Sequence, residues 1–380
     1  MRIAIFESIM TPGGHEVDFD RLLVEELAAL GHEVVFYVPQ DFVFRFDYKV
    51  PVRRLPGKTS SYEGVKGWRK VMNSLQREIN RQRCYRGLYQ AADRGEFDAA
   101  IVPTSTYRYL RALKLSALKE PPVPLIFIQH GLNPGEVDAY FREADNVAAN
   151  SNIKLVVLTF GNDIMGRSRP NVHCMYPPAY TARDLDYEPK LSRESPLRLG
   201  FFGQYRREKN LDAFLDTYLS CRFTHPVELM VQGATVHPDD TADFERIIRK
   251  YSGAGGITFL HKGLFAREWQ EAIAGLHALV MPYAAERYRY HWAGMLFTAI
   301  GFYRPVVASA IINPEVFAKY DIGFTFPSTE APTLKDALER FVNTYPVKAD
   351  RYEQELVKAN TVFSPAGFAR KLVTVVGAKA

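Results

Sequence analysis

Cysteine is scarce: Cys84, Cys174 and Cys221 lie far apart, with no Cys-x-x-Cys pair. That excludes a disulfide framework and a zinc module, and the chain reads as reduced and cytoplasmic. No segment approaches the roughly 18 consecutive apolar residues of a membrane helix. Apolar runs such as Leu125-Ile126-Phe127-Ile128 and Leu155-Val156-Val157-Leu158 have the length of strands. The chain start carries one basic residue, Arg2, and Glu7 interrupts the apolar run behind it, so no secretory signal is expected. Neither sign of charge dominates. Forty-eight Lys and Arg against 43 Asp and Glu leave +5 over 380 residues, too little to point to nucleic acid. No Walker GxxxxGK[ST] occurs, and neither Glu7–His15 nor Gly203–Asn210 supplies GxGxxG, which excludes P-loop and hydride-transfer enzymes. No Asp-x-Asp stands on a strand-end loop and no histidine pair has ligand spacing, so no metal is expected. A chain 47% hydrophobic and 24% charged is neither disordered nor fibrous.

What is present is a repeated alternation of strand and helix. Arg2–Phe6 is a short apolar run suited to a buried parallel strand, followed by a turn at Thr11–His15. A helix is predicted from Asp18 to Leu30, stopped by Gly31, and Val34–Val38 reads as the next strand. A long basic helix follows from Gly67 to Arg94, then strands at Ala99–Val102, Leu125–Ile128 and Ile153–Leu158, with helical stretches at 107–118 and 136–148. From Pro177 to Pro196 the chain is polar and aperiodic, as a linker would be. The alternation then restarts, with strands at Leu197–Phe202, Val227–Val231, Ile257–Leu260, Ala278–Met281 and Pro305–Ala308. Helices at 333–343 and 366–376 finish the chain.

The expected fold class is α/β, with two doubly wound Rossmann-like domains facing a cleft. The expected domains are residues 1–185, residues 196–363, and a terminal helix at 364–380 that packs back on the first domain. Ligands of such sheets bind beyond the strands' carboxyl ends. After the second domain's first strand stands Phe202-Gly203-Gln204-Tyr205-Arg206-Arg207-Glu208-Lys209-Asn210-Leu211. A glycine turn, cations and a helix start can receive a diphosphate. The same loop also reads as a solvated charged turn.

That segment resembles the F-x-G-R-x-x-x-x-K-G-x-D signature of GT-B glycosyltransferases related to glycogen synthase and sucrose synthase. Pro12-Gly13-Gly14 with Gly31-His32-Glu33-Val34 resembles their opening, Leu229–Gly233 their "L-x-I-x-G", and Met281-Pro282-Tyr283 through Arg304–Ala308 their "PS…E…EA…GKPVVA". The resemblance implies that Lys209 binds the donor diphosphate, with Gly203 and Gly233 beside it. Gln204 replaces the family arginine, so Arg206 or Arg207 would supply the fork. Tyr290 and Thr298 fall where the family's Glu-x7-Glu pair would lie; Thr298 replaces only part of that hydrogen bonding. Glu286 is the nearest carboxylate for related work, or a plain surface residue. Ala293 and Gly294 resemble a Ser-Gly in bacterial polysaccharide enzymes that lines the diphosphate site. His291 and Trp292 are read as packing.

An inverting transfer needs a base on the acceptor hydroxyl. His130 ends a strand in Gln129-His130-Gly131, and His15 follows Gly13-Gly14 with Asp18 close by; these three are the catalytic candidates. The stretch Arg45–Arg94 holds 13 Lys or Arg against four acids. It reads either as a solvated face or as a contact with an anionic membrane, the inner face of the cell membrane being the place expected, or with a lipid diphosphate acceptor.

The function implied is metal-independent, cofactor-free transfer of a sugar from a nucleotide diphosphate-sugar donor to a carbohydrate, lipid-linked or other hydroxylated acceptor, as in polysaccharide biosynthesis. The alternatives are a catalytically degenerate nucleotide-sugar-binding protein on the same scaffold and a nucleotide-sugar 2-epimerase. The epimerase needs several carboxylates, and none stands in register.

Overall fold

The computed structural model describes residues 1–9, 15–59, 68–188, 190–327 and 331–377. The turn at 10–14 and the side chains of His15 and Trp68 lie outside them.

Two compact units divide the chain. The first contains Glu16–Pro177 with the chain start and the segment from Pro365 onward. Its strands are β1 (Arg2–Phe6), β2 (Glu33–Pro39), β3 (Val52–Leu55), β4 (Ala99–Val102), β5 (Leu125–Gln129), β6 (Ile153–Leu158) and β7 (Val172–Met175). They pair in parallel in the order β3-β2-β1-β4-β5-β6-β7. Interior strands such as Ala99–Val102 and Ile153–Leu158 are buried throughout, which is why the first reads as an unbroken apolar run and the second as one interrupted only by the buried Lys154. The helices between them are α1 (His15–Ala29), α2 (Trp68–Asp93), α3 (Tyr107–Arg111), α4 (Val137–Val147) and α5 (Asn162–Met165).

The second unit holds Pro178–Ser364. Its strands are β8 (Leu197–Phe201), β9 (Val227–Gln232), β10 (Ile257–Leu260), β11 (Ala278–Met281), β12 (Val306–Ser309) and β13 (Gly323–Phe326). Again all pairs are parallel, in the order β10-β9-β8-β11-β12-β13. Its helices are α6 (Leu211–Ser220), α7 (Pro238–Tyr251), α8 (Ala266–Ala274), α9 (Gly294–Gly301), α10 (Pro314–Lys319) and α11 (Ala331–Val362). The last helix, α12 (Pro365–Gly377), belongs to the first unit, where the rings of Phe368 and Phe19 lie 6.0 Å apart.

Each sheet reverses its strand order beside its first strand, at β1/β4 and at β8/β11. Loops leaving those strands diverge to opposite faces and leave a crevice at the carboxyl ends.

Several elements differ from the sequence reading. β3 (VRRL) is an edge strand with three exposed positions, so it lacks an apolar signature. The 107–118 stretch is one short helix followed by two 3₁₀ turns. Helix α11 runs through Pro346, because Tyr345, Ala349, Tyr352 and Leu356 bury one continuous stripe that outweighs the lost backbone bond. The stretch read as a linker is strapped along the second unit. Tyr187 donates its hydroxyl to the Phe302 carbonyl (2.6 Å), Leu191 N–H donates to Glu353 (3.0 Å), and Tyr345 donates to Ser192 O (2.9 Å).

Candidate functional site

The second unit's reversal point is built from three loops. The first leaves β8 at Phe202-Gly203. Gly203 has φ +105, a conformation that side-chain-bearing residues rarely adopt. Its N–H donates to Gln232 Oε1 (2.8 Å) at the end of β9, and Gln232 Nε2 donates to the Lys262 carbonyl beyond β10. One fully buried amide thus ties three strand ends together.

The second element is a 3₁₀ turn at Arg207–Lys209, ending at Asn210 in the left-handed region before α6 starts. It turns Lys209 inward. Lys209 is only 7% exposed. Its Nζ lies 3.4 Å from the position a Cβ on Gly203 would take, and 4.9 Å from the centre of the Tyr283 ring. Among the described residues no hydrogen bond or salt bridge engages this ammonium. Burial draws its pKa down from the usual lysine range to about 7, with Arg206 and then Arg287 adding repulsion and Glu208 opposing them.

The third loop leaves β11 and forms a 3₁₀ turn at Glu286–Arg289. It is joined to the second by Ala284 N–H donating to the Glu208 carbonyl (3.1 Å). Arg287 binds Glu208 through Nη2 and keeps Nε buried without an acceptor among the described residues. Arg206 approaches the same Glu208 oxygen, Oε1, at 3.9 Å. Two guanidiniums and an ammonium therefore converge around a single acid, leaving an excess of positive charge at a carboxyl-end crevice.

Helix α9 completes the site. Ala293 is its N-cap, and Ala293 N–H donates to Asn313 Oδ1 (3.3 Å). Asn313 Nδ2 donates to the carbonyl of His291 (3.0 Å), so one fully buried side chain holds the whole entry to the helix. Met295, in the first turn, places Sδ 3.4 Å from the same Gly203 Cβ position that Lys209 approaches. The amide end of α9, Gly203 and Lys209 thus meet at one point, a geometry suited to a phosphorylated ligand.

No protein-family model and no curated protein matches this sequence. Solved structures do match over nearly the whole chain. Sucrose-phosphate synthase from Thermosynechococcus elongatus superposes with a TM-score of 0.70 at 12% identity, covering 98% of each chain. Anabaena HepE in complex with UDP-glucose gives 0.68 at 13%, covering 99% of each. The catalytic domain of starch synthase IV from Arabidopsis thaliana, bound to ADP and acarbose, gives 0.66 at 12%, covering 99% of this chain and 98% of its own. The chain has the GT-B fold.

Within this GT-B chain the sequence-selected residues divide. Gly203, Arg206, Lys209, Ala293 and Gly294 come together as described. Arg207 does not join them: it is exposed, donates to the Asp239 carbonyl (3.0 Å) and faces Asp243. Gly233 is a glycine for packing reasons, since a Cβ there would fall 2.7 Å from the Phe244 ring. Thr298 is buried and donates its hydroxyl to the Gly294 carbonyl (3.0 Å), within its own helix. Glu286 is exposed, with no partner among the described residues. Trp292 stacks on Tyr180, with ring centres 5.1 Å apart.

Three residues escaped sequence reasoning. Arg287 lies in the Glu286-Arg-Tyr-Arg run, where nothing in the spacing separates it from Arg289. Gln232 and Asn313 end strand-like segments; only the Asn-Pro step at 313–314 marks a special turn.

In the first unit, His130 follows β5 and its Nε2–H donates to the Pro103 carbonyl after β4 (2.8 Å), which commits that nitrogen as donor. Its ring meets Phe19 edge-on, with centres 4.7 Å apart. Asp18 lies on α1, half-buried, and the His15 side chain is outside the described residues. Beside them is a buried acid cluster that the sequence did not reveal: Glu7, Glu16 and Asp20. Glu7 Oε1 accepts from the N–H groups of Ser8 and Ile9, while Glu7 Oε2 and Asp20 Oδ1 are buried without a hydrogen-bond partner among the described residues. Burial, reinforced by Glu16, pushes the Glu7 carboxyl up to about 8 against the two backbone donors; burial and Glu7 raise Asp20. Among the described residues, no group of three or more His, Cys, Asp or Glu side chains is placed to hold a metal ion.

Proposed function

We propose that the protein is a glycosyltransferase that takes a sugar from a nucleoside diphosphate-sugar and passes it to a hydroxyl of a carbohydrate or lipid-linked acceptor. One observation carries this reading: a buried ammonium with no hydrogen-bond or salt-bridge partner among the described residues, beside a glycine and a helix amide end at the sheet's reversal point. Relatives by fold supply its chemistry, since one structure holds UDP-glucose and another holds ADP.

In this mechanism Lys209, Arg206 and Arg287 neutralise the diphosphate as negative charge gathers on it during departure. Gly203 lets the backbone approach the phosphates, and the amides of Gly294 and Met295 add the helix dipole. The cations do here what a divalent ion does in other transferases, without a metal. His130 is the proposed acceptor-side base. Asp18 and His15 are proposed beside it.

A second reading, a binding protein that has lost catalysis, is favoured by Thr298, whose hydroxyl is committed to its own helix where the family has a carboxylate. Incubation with radiolabelled UDP-glucose and ADP-glucose separates the readings. Slow release of free sugar without acceptor, faster with an oligosaccharide acceptor, supports transfer. Tight binding with no turnover supports the binder, and an isomerised donor supports the epimerase.

A further inference from the structure

The face of α2 turned away from the first unit's core is built for a different task. Val71, Met72 and Leu75 are 69%, 53% and 54% exposed, three large aliphatic side chains within the first turns of one helix. Single exposed apolar residues are ordinary on a protein surface, but a clustered run on a polar helix is not. At 100° per residue, Met72, Leu75, Arg83 and Arg86 lie within about 80° of one another around the helix axis. Arg83 and Arg86 are exposed, and no carboxylate pairs with either among the described residues.

A further cation adjoins this stripe. Gly87 of α2 lies against the turn after β3, since a Cβ there would fall 2.8 Å from the Pro56 ring. Gly57 meets the same helix, where a Cβ would fall 2.7 Å from Cys84 Sγ, and this sets the exposed Lys58 beside the α2 turn carrying Arg83; no acid pairs with Lys58 among the described residues. Arg53 is exposed on β3 but faces Glu96. Of the region's acids, Glu78 pairs with Arg111 (2.9 Å) and Asp47 with Lys49, while the exposed Asp93 ends α2 about two turns beyond Arg86. Residues 45–94 hold 13 Lys and Arg against four acids, while the rest of the chain holds 35 against 39. The positive charge is therefore a local feature. Arg81 is not part of it: buried at 3% exposure, its guanidinium lies 4.5 Å over the Tyr109 ring.

We propose that this face of α2 docks the protein on an anionic lipid bilayer, with Val71, Met72 and Leu75 entering the headgroup–acyl boundary and Arg83, Arg86 and Lys58 meeting lipid phosphates. A nucleic acid would engage the cations but leaves the aliphatic triad without a function; a bilayer uses both. No helix among the described residues is long and apolar enough to cross a membrane, so the contact is interfacial.

The test is cosedimentation of the full chain with vesicles of phosphatidylcholine alone and with one-third phosphatidylglycerol, at low and high salt. Binding is expected to the anionic vesicles only, to fall with salt, and to weaken about tenfold or more in both R83E/R86E and M72S/L75S. Melting temperature and nucleotide affinity of the variants should stay at wild-type values, since the substituted side chains are exposed and lie outside the donor loops. Equal binding to neutral vesicles, or variants that bind as the wild type does, overturns the proposal. So does a concentration-dependent dimer abolished by M72S/L75S, which assigns the face to a second copy. Duplex DNA binding lost in R83E/R86E but kept in M72S/L75S, without vesicle binding, assigns it to nucleic acid.

Discussion

The Lys209 ammonium stands 3.4 Å from the point where a Cβ on Gly203 would lie, and Met295 Sδ stands at the same distance from that point. Gly203 thus serves two ends at once. Its φ of +105 turns the chain after β8, and its bare Cα leaves room for a ligand between lysine and helix. Gly203→Ala is expected to strain the backbone by about 1–3 kcal/mol and to weaken nucleoside diphosphate binding at least tenfold. Thermal melts read the first effect and calorimetric titration the second. An alanine variant that binds as the wild type does would remove Gly203 from the site.

Nucleotide affinity should depend on pH through Lys209. Its folded pKa, about 7, lies below the usual lysine value because burial and the neighbouring arginines disfavour the charge. A bound diphosphate restores the charge, so binding takes up a proton. Affinity is then expected to be flat below pH 7 and to fall by up to about tenfold per unit above it. Calorimetry in buffers of different ionisation enthalpy would count the protons. Affinity rising between pH 7 and 9 would contradict this assignment.

Arg287 and Arg207 should behave differently despite similar chemistry. Arg287 flanks Lys209 across Glu208, whereas Arg207 reaches towards α7. Arg287→Gln is expected to weaken nucleotide binding by about 10- to 100-fold, the loss of one charge-assisted contact. Arg207→Gln is expected to change it less than about threefold. Equal losses, or the reverse order, would return the fork to Arg207.

Glu7 should set part of the first unit's pH stability. Its carboxyl has a folded pKa of about 8, above the unfolded value near 4.5. The protonated form's contribution is therefore full below about pH 4.5 and is lost as pH rises through 8. Glu7→Gln imitates the protonated acid, so its melting temperature should exceed the wild type's by about 3 °C or more at pH 8, with a smaller gain at pH 5. An advantage independent of pH would show that the carboxyl is ionised throughout.

Much of the fold was legible because parallel interior strands are buried on both faces and their apolar runs stand out, as at Ala99–Val102 and Ile153–Leu158. Elements whose residues answer to a neighbour were not legible. Edge strand β3 is three-quarters exposed, and α11 passes Pro346 only because a buried tyrosine stripe holds it on both sides.

The site shows the same division. Lys209 and Gly203 sit on one contiguous loop, and their chemistry can be read along the chain. Arg287, Gln232 and Asn313 reach the site from other strands' loops, so only the sheet order brings them there. Gly233 and Thr298 were drawn in by register with a family pattern; their surroundings are the Phe244 ring and the Gly294 carbonyl. The acids Glu7, Glu16 and Asp20 meet because α1 starts beside the end of β1.

Titration of the protein with UDP and with ADP, in parallel with Lys209→Met, tests the central claim most directly. The wild type should bind at least one of them, and Lys209→Met should lose about 100-fold or more in affinity, while its ligand-free melting temperature at pH 7 stays level or rises because a buried charge has been removed. Undiminished binding by Lys209→Met, or a wild type that binds neither nucleotide, would contradict the account.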